Sequence, residues 1–322
     1  MRMRLLFNCI NGSENQVEGF CVVKAAQVRS NVKGADYLDM TLFDADGEVN
    51  AKLWDYDVST HGTFQPQDLI KVRGTVTLYR DQEQLRVERI RKATPADKVD
   101  LSELIPCAPQ DSDAMYAEVW AYTELMRNDE LKRISQHLLD RYNYALRFFP
   151  AALRLHHAVR GGLLFHTLTM LHVAKDLCAT YGALYPALNA DLVYAGIILH
   201  DIAKISELEV SDLGIASGYT AEGELLGHIS IGVNLVGEAA RELSISLDTC
   251  MLLQHIILSH HTKPEFGSPK CPMFPEAEIV SALDSLDAKL YEMYDGLNGV
   301  PTHGFSQRMW ALDDRKLYNH GL

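Results

Sequence analysis

The chain has 322 residues, of which 47% are hydrophobic and 23% are charged, and its formal net charge is −13. This length allows two domains, and this composition is typical of a soluble globular protein. The sequence holds no apolar run near the ~20 residues that a membrane helix needs, so we expect no membrane association.

The cysteines and the start of the chain indicate a cytoplasmic protein. The first residues combine charge with neither a long apolar core nor a small-residue cleavage site, which argues against a signal peptide. The six cysteines are far apart and form no CxxC pair. Such spacing is typical of reduced thiols, and we therefore expect a cytoplasmic location.

The negative charge lies outside the first 92 residues. Residues 1–92 hold 13 basic and 13 acidic residues, whereas the remainder holds 17 basic and 30 acidic residues. A globally acidic protein is a poor nonspecific binder of polyanions. Nucleic acid as a substrate would therefore require local basic faces or bound cations.

Residues 15–95 have the pattern of β-strands. Alternation of apolar and polar residues, or a short apolar-rich run, predicts strands at 37–43, 49–54, 70–79 and 85–90. In the third of these, the residues expected to face inward are Ile70, Val72, Val76 and Leu78. Five short strands across residues 15–95, with an irregular segment at 61–68 before the strand at 70–79, predict a small closed β-barrel of the OB type.

The outward face of this predicted barrel mixes aromatic and basic side chains. OB barrels bind single strands by stacking bases on aromatic rings while cations follow the phosphate backbone. A single aromatic residue on a strand is often only part of the fold, so the mixture carries the argument. The candidate nucleic-acid contacts of the barrel are Tyr37, Lys52, Trp54, Lys71, Arg73, Tyr79 and Arg86.

The rest of the chain has helical periodicity after a proline-containing linker. The predicted helices lie at 112–127, 129–146, 162–181, 189–205, 221–243, 247–261 and 275–295. Asn189 suits a helix start, and Gly182 suits a helix end. The predicted fold is therefore multidomain, β + all-α: an OB-type barrel at 1–93, a linker at 94–111 and an α-helical bundle at 112–322.

Histidine and aspartate residues recur on five of these helices. His200 and Asp201 end a strongly apolar helix, where an unpaired carboxylate is costly to bury and a bound cation would remove that cost. A single histidine on an apolar helix is usually only packed, but facing helices of a bundle can bring several to one interior point. The candidate metal ligands are His166, His200, Asp201, His228, His260, His261 and Asp284.

The ligand types indicate which metals and which chemistry to expect. Imidazole and carboxylate ligands favour Mn²⁺, Fe²⁺, Zn²⁺ or Co²⁺ over Ca²⁺ or Mg²⁺. Seven ligands suit two ions that share Asp201, and two such ions activate a water for phosphoryl displacement. Asp287, one turn after Asp284, competes for the place of the last ligand. Asp201 and Lys204 are the candidate catalytic residues: Lys204 either stabilises phosphate charge or is a solvated lysine at a helix end.

These motifs resemble the HD superfamily of metal-dependent phosphohydrolases and, within it, the YhaM-type 3′→5′ exoribonucleases. The matching segments are HHAVRGGLLFHT (156–167), AGIILHDIAK (195–204), YTAEGELLGHI (219–229), ILSHH (257–261), EFGSP (265–269) and LDAK (286–289). The resemblance covers about residues 17–318 and includes an OB domain before the HD domain. Two departures are visible: residues 1–16 match poorly, and Phe165 stands where an acidic residue is expected before the first metal histidine.

The resemblance implies that the seven candidate ligands bind the metal, and that the enzyme depends on Mn²⁺. It also implies single-stranded RNA as substrate, with single-stranded DNA left open, and release of nucleoside monophosphates from the 3′ end. Three further residues either contact phosphate at the substrate entrance or are structural: His156, His157 and Arg160. Lys263 and Glu265 are expected to shape the mouth of the site.

Two other functions stay open at this point. An HD phosphohydrolase of a nucleotide or cyclic dinucleotide would need a small closed pocket but no module that holds a strand. A nucleic-acid-binding factor with a non-catalytic metal site would tolerate the loss of Asp201. The C-terminal segments 305–310 and 315–318 are expected to pack on the barrel or on a neighbouring subunit, so a homo-oligomer also stays open.

Overall fold

The computed structural model describes residues 8–9, 15–45, 47–80, 82–261 and 267–322. The chain forms two compact units, Met1–Cys107 and Ala108–Leu322, and their boundary falls inside the segment predicted as a linker. Within the described residues, no helix combines the length and the apolarity that crossing a membrane requires. Lys263 and Glu265, predicted to shape the mouth of the site, lie outside the described residues.

The first unit is a closed β-barrel. Its elements are β1 (Asn8–Cys9), β2 (Gln16–Ser30), β3 (Asp36–Asp44), β4 (Gly47–Trp54), α1 (Val58–His61), β5 (Leu69–Tyr79) and β6 (Gln82–Lys92). The strands are hydrogen-bonded in the order β1-β2-β3-β4-β6-β5, and β5 pairs again with β2. Only the β4–β6 pair is parallel among the described strands. The five strands β2 to β6 therefore close on themselves, which confirms the predicted OB-type barrel.

Alternating side chains fill the barrel, with one exception to the prediction. Leu38, Met40 and Leu42 of β3 are buried, as are Ile70 and Val72 of β5. The prediction for a later residue of β5 is wrong, because the side chain of Leu78 is 76% exposed. The pairing of β2 with β5 ends at Thr75. The half-buried Val76 still donates its N–H to the Asn15 carbonyl at 2.7 Å, and Leu78 pairs with Glu83 of β6. The end of this hairpin therefore extends past the barrel wall and has no core to face.

The second unit is a helical bundle. Its helices are α2 (Ser112–Leu125), α3 (Asp129–Arg141), α4 (Asn143–Leu146), α5 (Gly162–Leu184), α6 (Ala190–Leu199), α7 (Lys204–Glu207), α8 (Ala221–Glu242), α9 (Leu247–Ser259) and α10 (Pro275–Gly296). An unpredicted hairpin, β7 (Leu208–Val210) and β8 (Ala216–Tyr219), connects α7 to α8. Side-chain oxygens of Asp111, Asn128 and Asn189 cap the starts of α2, α3 and α6.

Helix α6 is the central element of this bundle. Every residue from Leu192 to Leu199 is buried, which explains the unbroken apolar run of the sequence. Helices α2, α3, α5, α9 and α10 surround α6. The chain leaves α6 at His200 and Asp201, so both polar side chains are delivered to the middle of an apolar unit.

The C-terminal segment packs on the end of α10. A Cβ on Gly296 would lie 2.2 Å from Sδ of Met309, so the C-terminal segment and α10 are in direct contact. Phe305 and Trp310 remain exposed. Assembly into a homo-oligomer through this segment stays a prediction.

Two glycines of α5 give a matched pair of stability predictions. A Cβ on Gly162 would lie 2.0 Å from the carbonyl oxygen of His157, whereas a Cβ on Gly182 would meet nothing within 4 Å. Gly182 was predicted as the helix end, but α5 continues to Leu184. We expect Gly162→Ala to lower the free energy of unfolding by ~1–3 kcal/mol through overpacking. Gly182→Ala should raise it by ~0.5–1 kcal/mol, because alanine is the better helix residue.

Urea unfolding followed by circular dichroism measures both effects on the same helix. Equal urea midpoints for the two variants would contradict the close approach of the His157 carbonyl to Gly162 at the start of α5.

Candidate metal centre

Four imidazoles of the bundle are held by Nδ1. Nδ1 of His166 lies 2.6 Å from Oδ2 of Asp287, and Nδ1 of His228 lies 2.9 Å from Oε1 of Glu207. Nδ1 of His200 lies 2.8 Å from the Ile197 carbonyl oxygen, and Nδ1 of His260 lies 2.7 Å from the Ile257 carbonyl oxygen. A neutral imidazole whose Nδ1 donates a proton keeps a lone pair on Nε2. All four rings therefore present Nε2 as the atom able to bind a cation.

The Nε2 atoms converge on the carboxylate of Asp201, and its two oxygens face different rings. Oδ2 lies 3.3 Å from Nε2 of His200 and 3.9 Å from Nε2 of His166. Oδ1 lies 3.6 Å from Nε2 of His228 and 3.7 Å from Nε2 of His260. One buried carboxylate thus lies between two sets of imidazoles.

Three atoms at this point are buried without a hydrogen-bond partner among the described residues. They are Oδ1 of Asp201, Nε2 of His228 and Nε2 of His260. Unpaired buried polar atoms are costly and rare in folded proteins. Ligand atoms around an ion with bonds of ~2.0–2.2 Å lie about 3–4 Å apart, as these atoms do. The donors therefore fit a divalent metal ion.

The donors form two groups that share Asp201. One group is Asp201, His228, His260 and His261, and the other is His166, His200 and Asp201; within each, the ligand atoms lie within 4.8 Å of one another. Six of the seven predicted ligands fall into these groups. The seventh, Asp284, has its Oδ1 3.4 Å from Nε2 of His166.

The geometry separates Asp284 from Asp287. Asp284 lies on the Nε2 side of His166. Asp287 lies behind the ring, where its Oδ2 is 2.6 Å from Nδ1 of His166 and 2.7 Å from Nε2 of His157. His157, His166 and Asp287 could also form a metal site by proximity. Separations this short are those of hydrogen bonds, so Asp284 is the better placed candidate ligand and Asp287 supports His166 from behind the ring.

The electrostatics give Asp201 and His260 the protonation states that metal binding needs. Burial opposes ionisation of Asp201, but Lys204 and His200 outweigh it and hold the pKa of that carboxyl well below its usual range. Burial also lowers the pKa of His260, which keeps this imidazole neutral. His166 differs, because its bonds to Asp284 and Asp287 outweigh burial and raise its pKa to about 9.

Lys204 is part of the cluster. Its side chain is buried, with 8% of the residue exposed, and Nζ lies 2.7 Å from Oδ2 of Asp201. The alternative of a solvated lysine at a helix end is therefore wrong. Burial opposes the charge of this ammonium, but the attraction of Asp201 is stronger and raises the pKa of Lys204.

The family comparison agrees with this geometry. The HD domain family matches residues 163–289, and a family described as a putative helicase matches residues 109–189. The 3′-5′ exoribonuclease YhaM of Halalkalibacterium halodurans is 40% identical over 302 residues, which are 94% of this chain and 92% of that protein. YhaM of Bacillus licheniformis is 39% identical over 303 residues, 94% of each chain. The chain belongs to the YhaM family.

A solved structure is also similar to part of the chain. The single-stranded DNA binding protein from Thermus aquaticus matches 27% of this chain and 44% of its own, with 17% identity and a TM-score of 0.23.

The barrel residues predicted to bind nucleic acid differ in their neighbours. Nζ of Lys52 lies 5.4 Å, 5.6 Å and 5.9 Å from the ring centres of Tyr37, Trp54 and Tyr79. Arg86 is the register partner of Lys52 across β4 and β6. We call these five residues the aromatic cluster.

The other two predicted contacts of the barrel are engaged elsewhere. Lys71 pairs with Glu18 at 2.8 Å, and Arg73 lies 3.9 Å from Glu88. Each of these two basic side chains thus lies beside a carboxylate, whereas Lys52 lies among three aromatic rings.

The three residues predicted at the substrate entrance are also separated. The His156 ring centre lies 6.3 Å from that of His166, so His156 borders the metal centre. His157 is 1% exposed and bonded to Asp287. Arg160 donates to the Asp212 carbonyl at 2.8 Å, in the turn of the β7–β8 hairpin.

Sequence reasoning missed two supports of the centre, Glu207 and the pair of His157 with Asp287. Glu207 is buried and accepts both the backbone N–H and Nδ1 of His228, each at 2.9 Å. Helix α8 is kinked at Gly227, where φ is 69° and ψ is 155°. The glycine directly before His228 was the available signal, because it permits a backbone turn that a helix interior does not need.

Proposed function

We propose that this chain is a metal-dependent 3′→5′ exoribonuclease that releases nucleoside monophosphates from single-stranded RNA. The observation that carries the proposal is Asp201, whose two oxygens face two different sets of imidazoles. The YhaM relatives are named for this activity, and the match spans nearly the whole of each chain. Single-stranded DNA is the second substrate to test.

The proposed cofactor is a pair of divalent ions, with Mn²⁺ as the first choice and Fe²⁺, Zn²⁺ or Co²⁺ as alternatives. One ion would be held by His166, His200 and Asp284. The other would be held by His228, His260 and His261, and both would share Asp201. When bound, two such ions supply a water of lowered pKa and neutralise charge on the phosphate. Among the catalytic residues, Lys204 keeps Asp201 ionised and carries a buried positive charge suited to a phosphoryl oxygen.

A labelled RNA tests the proposed activity directly. Single-stranded RNA carrying a 5′ label is incubated with Mn²⁺ and resolved on a sequencing gel. The expected result is a ladder that shortens from the 3′ end, and parallel reactions compare RNA with DNA. Intact RNA that stays tightly bound would overturn the proposal in favour of a binding factor; intact, unbound RNA would redirect the search to nucleotides and cyclic dinucleotides.

Two histidines on α9 provide a matched control for that assay. His260→Ala removes a proposed ligand, so the ladder should disappear. His255→Ala removes a ring whose Nε2 accepts the Met273 N–H at 3.1 Å and which packs on Phe274, so the ladder should persist.

The aromatic cluster of the barrel would bind the single strand whose end is degraded. Stacking one base on an aromatic ring contributes ~1–3 kcal/mol. We expect Trp54→Ala to weaken binding of a long RNA by about 5–100-fold in Kd, measured by fluorescence anisotropy, because it removes one stacking surface beside Lys52. Lys71→Ala, which removes a basic side chain paired with Glu18, is the control, and an equal loss in both variants would contradict the assignment to this cluster.

We also place the chain in the cytoplasm. Cys21 and Cys178 are buried free thiols, which suits a reducing compartment.

A further inference from the structure

The imidazoles of the centre are held in two different ways. His200 and His260 bond to carbonyl oxygens of the preceding turn, at Ile197 and Ile257. His166 and His228 bond instead to carboxylates that come from other elements. Each oxygen of Asp201 faces one ring of each kind. Among these four rings, each oxygen of Asp201 therefore faces one imidazole that is oriented by an acidic side chain.

Glu207 supports the half that faces Oδ1 of Asp201. Its Oε1 accepts from both the ring and the backbone of His228, so one oxygen fixes the side chain and the kink that presents it. The residue itself is tightly packed: a Cβ on Gly223 would lie 2.2 Å from the Glu207 carbonyl oxygen. The carboxylate is thus placed by the close approach of α7 and α8.

Asp287 supports the half that faces Oδ2. The same Oδ2 atom of Asp287 accepts from His166 and from His157, so His157 holds the carboxylate in place. His157 has a φ of 54°, which few non-glycine residues adopt, and its ring packs 4.1 Å from that of Tyr291. Phe165, at the position where an acid was expected, packs on the His157 ring at 5.6 Å. The carboxylate that supports His166 therefore comes from α10.

We propose that Glu207 and Asp287 are positioning residues that separately set the metal affinity of the two halves, Glu207 through His228 and Asp287 through His166. This inference rests on the proposed two-ion function. A carboxylate behind a metal histidine fixes its tautomer and raises its basicity, and loss of such a partner lowers metal affinity by ~10–100-fold.

Calorimetric titration of the metal-stripped full chain with Mn²⁺ tests the proposal. The wild type should show two binding events. Glu207→Ala should weaken one event by ~10–100-fold and Asp287→Ala the other. The isosteric variants Glu207→Gln and Asp287→Asn keep an acceptor oxygen and should weaken the same events less. They carry the test if circular dichroism shows that an alanine variant is unfolded.

Glu276→Gln is the matched control, because Glu276 is a buried carboxylate of α10 that accepts the Asn189 N–H at 2.7 Å instead of an imidazole. Both events should be unchanged in it. The inference is overturned if the folded Glu207 and Asp287 variants bind as the wild type does, or if both weaken the same event. Absence of two events in the wild type would instead overturn the two-ion proposal itself.

Discussion

Replacement of Asp201 by Asn is expected to lower the rate of RNA hydrolysis by at least ~10³-fold while RNA binding is kept. The carboxylate is buried, and its oxygens face both groups of donors. A neutral amide would offer one weak oxygen ligand and one N–H group that repels a cation, so both halves of the centre would lose their shared ligand. Single-turnover cleavage of the labelled RNA measures the rate, and anisotropy measures the binding.

The variant needs a control for folding, since Lys204 would lose its partner. Breaking a buried ion pair typically destabilises a protein by ~3–5 kcal/mol. The double variant Asp201→Asn with Lys204→Met removes both charges, and it should unfold at a higher urea concentration than the single variant. It should be equally inactive. Hydrolysis within tenfold of the wild-type rate in either variant would exclude Asp201 as the shared ligand.

The grouping of six candidate metal ligands could be predicted from the sequence because their pattern depends on local chemistry. A His-Asp pair at the end of an apolar helix has few structural explanations other than a buried cation. The choice between Asp284 and Asp287 could not be made in the same way. The two residues are one turn apart on α10, so periodicity places both near the centre, and only the orientation of His166 separates them.

The supporting residues depend on contacts between distant parts of the chain. The partners His157 and Asp287 are 130 residues apart in sequence. The exposure of Leu78 also depends on distant contacts. The alternation of apolar residues continues to Leu78, but the residue at which β2 stops pairing with β5 is set by strand register. Lys71 stays a predicted nucleic-acid contact, and its ion pair with Glu18 of β2 likewise depends on how distant strands pair.

Removal of metal is expected to abolish hydrolysis completely and reversibly, with activity restored by added Mn²⁺. The stripped centre would hold the carboxylates of Asp201 and Asp284 beside the protonated His166, whose pKa in the metal-free chain is raised to about 9. An ion that binds Nε2 of His166 must displace that proton. Unaffected activity in excess chelator would contradict the whole scheme.

Because metal binding displaces this proton, the affinity for Mn²⁺ should rise with pH. Below pH 9 His166 is mostly protonated in the metal-free chain, so the apparent affinity of its half for Mn²⁺ should fall about tenfold for each pH unit of acidification. Above pH 9 this proton is already lost and the dependence should level off. Titrations at pH 7 in two buffers of different ionisation enthalpy should detect about one released proton for this half. An affinity that is constant from pH 6 to pH 9 would show that His166 is neutral before the metal binds, and that Asp287 does not act on it as the geometry indicates.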